Sequence, residues 1–186
     1  MEKLPKKLRQ KLSERLMNDA VRSLSLIDGL VDFSSNDYLG FARNEHLSKA
    51  ATDFLKIKPQ KNGSTGSRLL TGNHTLYAEL EDFLAAHHKS ESSLVFNSGY
   101  DANVGFFSSV PQRGDIVFYD ELVHASIRDG IQMGHAKSYK FTHNNIGDLS
   151  RHIERSRNMD GNSEIYIVTE SVFSMDGDTP NLVALA

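Results

Sequence analysis

The chain has 186 residues, a formal net charge of -3, 24% charged residues and no cysteine. That balance gives no electrostatic footprint for nucleic acid or an anionic membrane, and the lack of cysteine rules out disulfides and thiolate metal sites. No run approaches the roughly 20 apolar residues of a membrane span, so the expectation is a soluble, cytoplasmic protein acting on small molecules.

In chain order, Leu4, Leu8, Leu12 and Leu16 recur every four residues within the basic segment Met1 to Arg22, predicting an amphipathic helix. A partner surface explains its basic face, and so does a solvated face with Glu2, Glu14 and Asp19 mixed in. Leu30-Val31-Asp32-Phe33 is expected to be a short strand and Asn36-Asp37-Tyr38-Leu39-Gly40 a turn. A helix follows with Leu47, Ala50, Ala51, Phe54 and Leu55 inward, then an ordered Gly/Ser/Thr-rich loop from Lys61 to Gly72. Leu76, Leu80, Phe83 and Leu84 mark the next helix, 94–96 a strand, and 104–110 the body of another helix. Strands at 116–119, 138–141 and 165–168 are separated by helical patterns around 127–133 and 146–153. Alternation of this kind predicts an α/β fold with a mostly parallel, doubly wound sheet.

Chemistry concentrates where strands give way to polar turns, the edge at which open α/β sheets place ligands. After the run ending at Phe96, Asn97-Ser98-Gly99-Tyr100 opens a helix whose free N–H groups and positive dipole end suit a phosphate. An ordinary N-cap with a glycine turn explains the same residues. Neither G-x-G-x-x-G nor G-x-x-x-x-G-K-[ST] is present, which points to a phosphorylated cofactor smaller than a dinucleotide or nucleoside triphosphate. His124 sits at the next such corner, where an imidazole can lie against an aromatic ring, move a proton or be purely structural. The segment from Thr169 to Asp178 delivers Glu170, Ser174, Asp176 and Asp178 into a turn closed by Gly177, and Asp176-Gly177-Asp178 lacks the full calcium-loop pattern. No set of histidines has convincing metal spacing, so no metal site is assigned.

Five segments in order carry a family resemblance: 34–40, 63–74 (Gly-Ser-Thr-Gly-Ser-Arg-Leu-Leu-Thr-Gly-Asn-His), Ser98-Gly99-Tyr100, His124-Ala125-Ser126 and 169–178. Together they resemble the α-oxoamine synthases, pyridoxal 5′-phosphate (PLP) enzymes of fold type I, over nearly the whole chain from about Leu12. The resemblance implies an N-terminal helical arm over 1–40 and the first part of a PLP-binding large domain over 41–186. It implies that Gly99 and Tyr100, with Ser98 nearby, hold the cofactor phosphate, that His124 stacks on the pyridine ring, and that Ser174 bonds near the phenolic oxygen. Glu170 would support that wall, and Asn36 would face the substrate. By resemblance, His124, Ser174 and Glu170 form the catalytic set, and the 63–72 loop helps build a site shared across a homodimer.

The implied reaction is a decarboxylative condensation of an amino acid with an acyl thioester, carried by coenzyme A or acyl carrier protein. The wording of Ser67-Arg68-Leu69 and Gly72-Asn73-His74 is most similar to the biotin-biosynthesis branch, which joins L-alanine to a pimeloyl thioester. Branches of the glycine C-acetyltransferase and serine palmitoyltransferase type, or a non-catalytic partner module, are the alternatives. The family's Asp-x-x-His segment and its cofactor-binding lysine have no counterpart here, and Lys137 and Lys140 open a strand instead. The expectation is therefore a truncated N-terminal portion, inactive alone, with apolar surface left open.

Overall fold

The computed structural model describes residues 4–24, 29–58, 62–157 and 163–186. Its contacts divide the chain into two units, Met1–Gly63 and Ser64–Ala186. Of the residues named in the expectations above, Met1, Glu2 and Lys61 lie outside the described residues.

In the first unit, α1 (Lys6–Met17) and α2 (Glu45–Lys56) are the helices that the leucine spacing predicts. Asp37 organises the turn between them, its carboxylate accepting the N–H groups of Phe41 (2.8 Å) and Ala42 (3.1 Å) at the start of a 3₁₀ turn, Phe41–Arg43. Asn44 then caps α2 by accepting the Leu47 N–H at 2.9 Å. Two expectations fail here. The segment 30–33 is not a strand: Asp32 turns the chain by accepting both the N–H and the hydroxyl of Ser34, and no described residue pairs with its backbone as a strand requires. The apolar stripe of α2 is not inward either, with Leu47, Phe54 and Leu55 all exposed, because a helix face is buried only where another layer covers it.

The second unit holds the sheet. Its elements are α3 (Thr75–His88), α4 (Gly99–Ser109), β1 (Ile116–Asp120), α5 (Ala125–Met133), β2 (Lys137–Phe141), α6 (Ile146–Arg157), β3 (Ile165–Val168) and a final turn of helix, α7 (Leu182–Leu185). The three strands are parallel in the order β2-β1-β3, with Ile116 opposite both Lys137 and Ile165. Alternation along β1 sends Val117 to one face and Ile116 and Phe118 to the other. Val117 joins Val123, Ile127, Ile131, Val168 and Phe173 beneath α5, while Ile116 and Phe118 join Phe141 and Leu149 beneath α6. The central strand β1 is thus covered on both faces, as the α/β expectation requires, while Lys137 to Lys140 of β2 stay exposed. Each fully buried large side chain, such as Phe118 or Phe173, contributes about 1.5–3 kcal/mol.

The expected strand at 94–96 is absent. The Val95 N–H donates to the Glu81 carboxylate (2.8 Å) instead of to a neighbouring strand, and the Ser93 hydroxyl donates to the Glu81 carbonyl (2.7 Å). Glu81 also takes a two-pronged bond from Arg68 at 2.7 and 2.8 Å, and the Arg68 guanidinium lies 4.2 Å over the Tyr77 ring. Over its described residues the Gly/Ser/Thr-rich loop is therefore ordered as expected. It also closes tightly on itself: a Cβ at Gly72 would fall 1.8 Å from the Gly66 carbonyl oxygen, so only glycine fits. Among the described residues no helix is long and apolar enough to cross a membrane.

Candidate functional site

Three chain corners at one edge of the second unit build the site. At the first, Ser98 is extended and caps α4, its hydroxyl accepting the Asp101 N–H at 3.0 Å and its carbonyl the Ala102 N–H at 3.1 Å. That leaves the Gly99 and Tyr100 N–H groups without an acceptor among the described residues, at the positive end of the helix. A Cβ built on Gly99 would meet nothing within 4 Å. The space beside Gly99 is therefore open.

At the second corner His124 caps α5. Its Nδ1 accepts the Ser126 N–H at 3.2 Å and lies 2.7 Å from the Ser126 hydroxyl. Because a backbone N–H can only donate, Nδ1 is the acceptor and the proton of the neutral ring sits on Nε2. The Ser126 hydroxyl in turn accepts from the Asn103 amide at 2.9 Å, so a completely buried serine ties the α5 corner to α4. Close helix packing makes this reach workable: a Cβ at Gly130 would sit 2.9 Å from the Asn103 carbonyl oxygen and 3.0 Å from Val104 Cα. A second link joins the same helices, the Tyr100 hydroxyl donating to the Asp129 carboxylate. That bond, with burial and the nearby negative charge adding to it, raises the phenol above its ordinary pKa.

The third corner follows β3, where the Glu170 carboxylate accepts the His124 N–H. The corners enclose a cleft of about 470 Å³ lined by Gly99, Tyr100, His124, Ser126 and Glu170 among others, within the usual size of small-ligand sites. Of the residues singled out from the sequence, Gly99, Tyr100, His124 and Glu170 thus meet, with Ser98 directly beside them. Ser174 is exposed and does not line the cleft. Asn36 lies in the first unit, its carbonyl accepting the Tyr38 N–H at 2.9 Å.

Sequence reasoning gave no role to Asn103, Ser126, Asp120 or His143. The His143 ring lies 2.8 Å from Asp120 through Nδ1 and 2.8 Å from Asp178 through Nε2. The Asp120 carboxylate raises the imidazole above its ordinary pKa, Asp178 adding to the effect and burial opposing it. Asp178, read from the sequence as part of a turn, is thereby a partner of this histidine. Among the described residues no group of histidine and acidic side chains is arranged to hold a metal ion.

Comparison with known proteins agrees with this architecture. Residues 28–186 match the family model of aminotransferase class I and II. The chain is 43% identical over 187 residues to 8-amino-7-oxononanoate synthase of Emericella nidulans, covering 94% of this chain and 45% of that protein. Serine palmitoyltransferase from S. paucimobilis, solved with bound PLP, superposes with a TM-score of 0.80 at 26% identity, over 97% of this chain and 49% of that one. An 8-amino-7-oxononanoate synthase structure from Francisella tularensis gives a TM-score of 0.62 at 27% identity, over 86% of this chain and 42% of that one. The chain spans less than half the length of these relatives. Its fold is that of PLP enzymes of fold type I, and the chain belongs to the aminotransferase class I and II family, within which it is similar to the α-oxoamine synthases.

Proposed function

We propose that this chain forms the cofactor-binding part of an 8-amino-7-oxononanoate synthase, which condenses L-alanine with a pimeloyl thioester and releases carbon dioxide and the thiol carrier. The observation that carries the reading is the pair of N–H groups at Gly99 and Tyr100 that have no acceptor among the described residues, on two residues that line one cleft with His124. That donor set suits a phosphate monoester, and a cleft of about 470 Å³ has room for the ring attached to it.

In this reading Gly99 and Tyr100 hold the cofactor phosphate through their backbone, with the Ser98 hydroxyl beside them. His124 presents its ring face to the pyridine, and the Nδ1 bonds from Ser126 stop the imidazole from rotating. Glu170 fixes the same corner by accepting the His124 N–H, while Nε2–H remains able to donate into the cleft. Ser174 reaches the phenolic oxygen once the 169–178 segment closes on the ring, and Asn36 faces the amino-acid substrate. The chemistry PLP would supply when bound is delocalisation of the electron pair at the amino-acid Cα, the carbon that joins the thioester carbonyl. The residues on this chain bind and orient, and exclude water from one face of the ring. The working species is a homodimer, with 1–40 as a helical arm and 41–186 as the first part of the large domain.

The structural likeness to serine palmitoyltransferase supports a second reading, in which L-serine replaces L-alanine. The higher sequence identity to 8-amino-7-oxononanoate synthase favours the first. PLP titration of the chain followed by absorbance and fluorescence tests the site. Saturable binding that falls by about tenfold or more in a Ser98→Ala, His124→Ala double variant is expected, since lost phosphate and ring contacts act together. Binding unaffected by the double variant overturns the assignment of the cleft.

A further inference from the structure

Beyond the cleft, one buried cluster joins the sheet to the segment that forms the cleft's wall. Asp120 ends β1 and is completely buried. Its Oδ1 accepts the Leu122 N–H (2.9 Å) and faces His143 Nδ1, and its Oδ2 accepts the Asn144 N–H (2.8 Å). The carboxylate is thus a fixed anchor. On the other side of the imidazole, Asp178 belongs to the turn after β3 and takes a further bond from the Asn144 amide at 2.8 Å. That turn folds back on itself, the Phe173 N–H donating to the Asp178 carbonyl (3.0 Å) and the Gly177 N–H to the Phe173 carbonyl (2.8 Å). Phe173 is buried and meets the His143 ring edge-on at 4.5 Å. Between Glu170 and Pro180, Phe173 is the single buried residue, so few other contacts hold this stretch.

We propose that His143 is a positioning residue: gripping Asp120 through Nδ1 and Asp178 through Nε2, it holds the 169–178 segment, and with it Glu170, in place against the cleft. The meaning for catalysis rests on the cofactor reading above, whereas the clamp itself does not.

Each ring nitrogen faces an ionised carboxylate, which has no proton to give, so both bonds exist together only when both nitrogens are protonated. The clamp is therefore complete in the imidazolium form and loses one arm on deprotonation. The other charged groups around it are Glu121, whose carboxylate accepts the His143 N–H at 3.2 Å and pairs with Lys140 at 3.8 Å, and Asp148 of α6, which holds the Thr142 N–H at 2.9 Å beside Arg151. Net negative charge on this side favours the protonated ring, in line with the raised His143 pKa. With the folded value raised above about 6.5, the clamp's contribution is fully present below that pH and is lost as the pH climbs through the raised value.

Amide hydrogen exchange on the full chain without cofactor tests this, comparing wild type, His143→Gln and Asp178→Asn at pH 6 and pH 8.5. After correction for intrinsic rates, protection of Phe173 and Gly177 in the wild type should fall about threefold to tenfold between the two, while Val117 and Phe118 in β1 keep theirs. Both variants should show the weaker protection at either pH, and Asp178→Asn, at a partly exposed position, keeps the test valid if His143→Gln disturbs folding. A wild-type loop whose protection ignores pH, or variants that retain the wild-type profile, overturns the proposal. PLP titration of the same variants separates the two readings. Exchange that behaves as stated while PLP does not bind leaves the clamp standing and removes the cofactor site. Exchange that does not respond, with PLP bound normally, does the reverse.

Discussion

The two units treat similar sequence patterns differently. Residues 45–56 and 146–157 each form an amphipathic helix of 12 residues. In the second, Leu149 is buried beneath the sheet with Phe118, whereas in the first every residue is exposed. An apolar stripe of helical period specifies the helix but not its burial, which depends on a covering layer. Pro111 and Pro180 apart, every buried apolar side chain of the described residues belongs to the stretch from Ile116 to Phe173, and the cleft and the His143 cluster stand on that packed part.

The widest separation between the units should come from truncating one phenylalanine in each. Phe118→Ala removes a fully buried ring and is expected to cost about 3–5 kcal/mol in urea unfolding of the second unit. Phe54→Ala, at a half-exposed position, should cost under about 0.5 kcal/mol. Equal losses would break the contrast.

A smaller effect should follow from forcing α4 and α5 apart. Gly130→Ala places a Cβ against the backbone of Asn103 and Val104 and is expected to cost about 1–3 kcal/mol. It should also weaken PLP binding, because Asn103 and Ser126 hold the two corners in register. Loss of stability without loss of affinity would show that the cleft does not depend on this packing. At the α4 cap, Ser98→Ala should cost about 1 kcal/mol by freeing the Asp101 N–H.

The least perturbing test is acid. The Glu81 pKa is lowered to about 2, first by its bonds from Arg68 and then by the Val95 N–H. With the folded value below the ordinary 4.5, the stabilisation is present above that pH and is lost as pH falls toward about 2. A carboxylate NMR titration should place Glu81 well below the ordinary glutamate value of 4.5. Ordinary titration would mean that the Arg68 tie is not maintained in solution.

Much of this was legible in the sequence. The strands at 116–119, 138–141 and 165–168 have the continuous apolar or alternating runs that a parallel sheet demands, and the intervening periods gave α5 and α6. The failures at 30–33 and 94–96 share a cause, since a strand exists only with a partner and an apolar triplet does not say whether one is present. In the site, Ser98, Gly99, His124 and Glu170 stood out because they follow strand-like runs in polar turns. Asn103 and Ser126 carried no such signal, their link across 23 residues arising from helix packing. His143 was hidden for the same reason, its two partners lying 23 and 35 residues away, one at the end of β1 and the other in the turn after β3.

The most direct test of the cofactor site follows the backbone amides of Gly99 and Tyr100 by ¹⁵N NMR during addition of PLP, with inorganic phosphate as competitor. The account predicts saturable downfield shifts of both amides that phosphate reverses, with the amides of α2 unmoved. PLP binding that leaves Gly99 and Tyr100 unshifted, or no binding in the cleft at all, would contradict it.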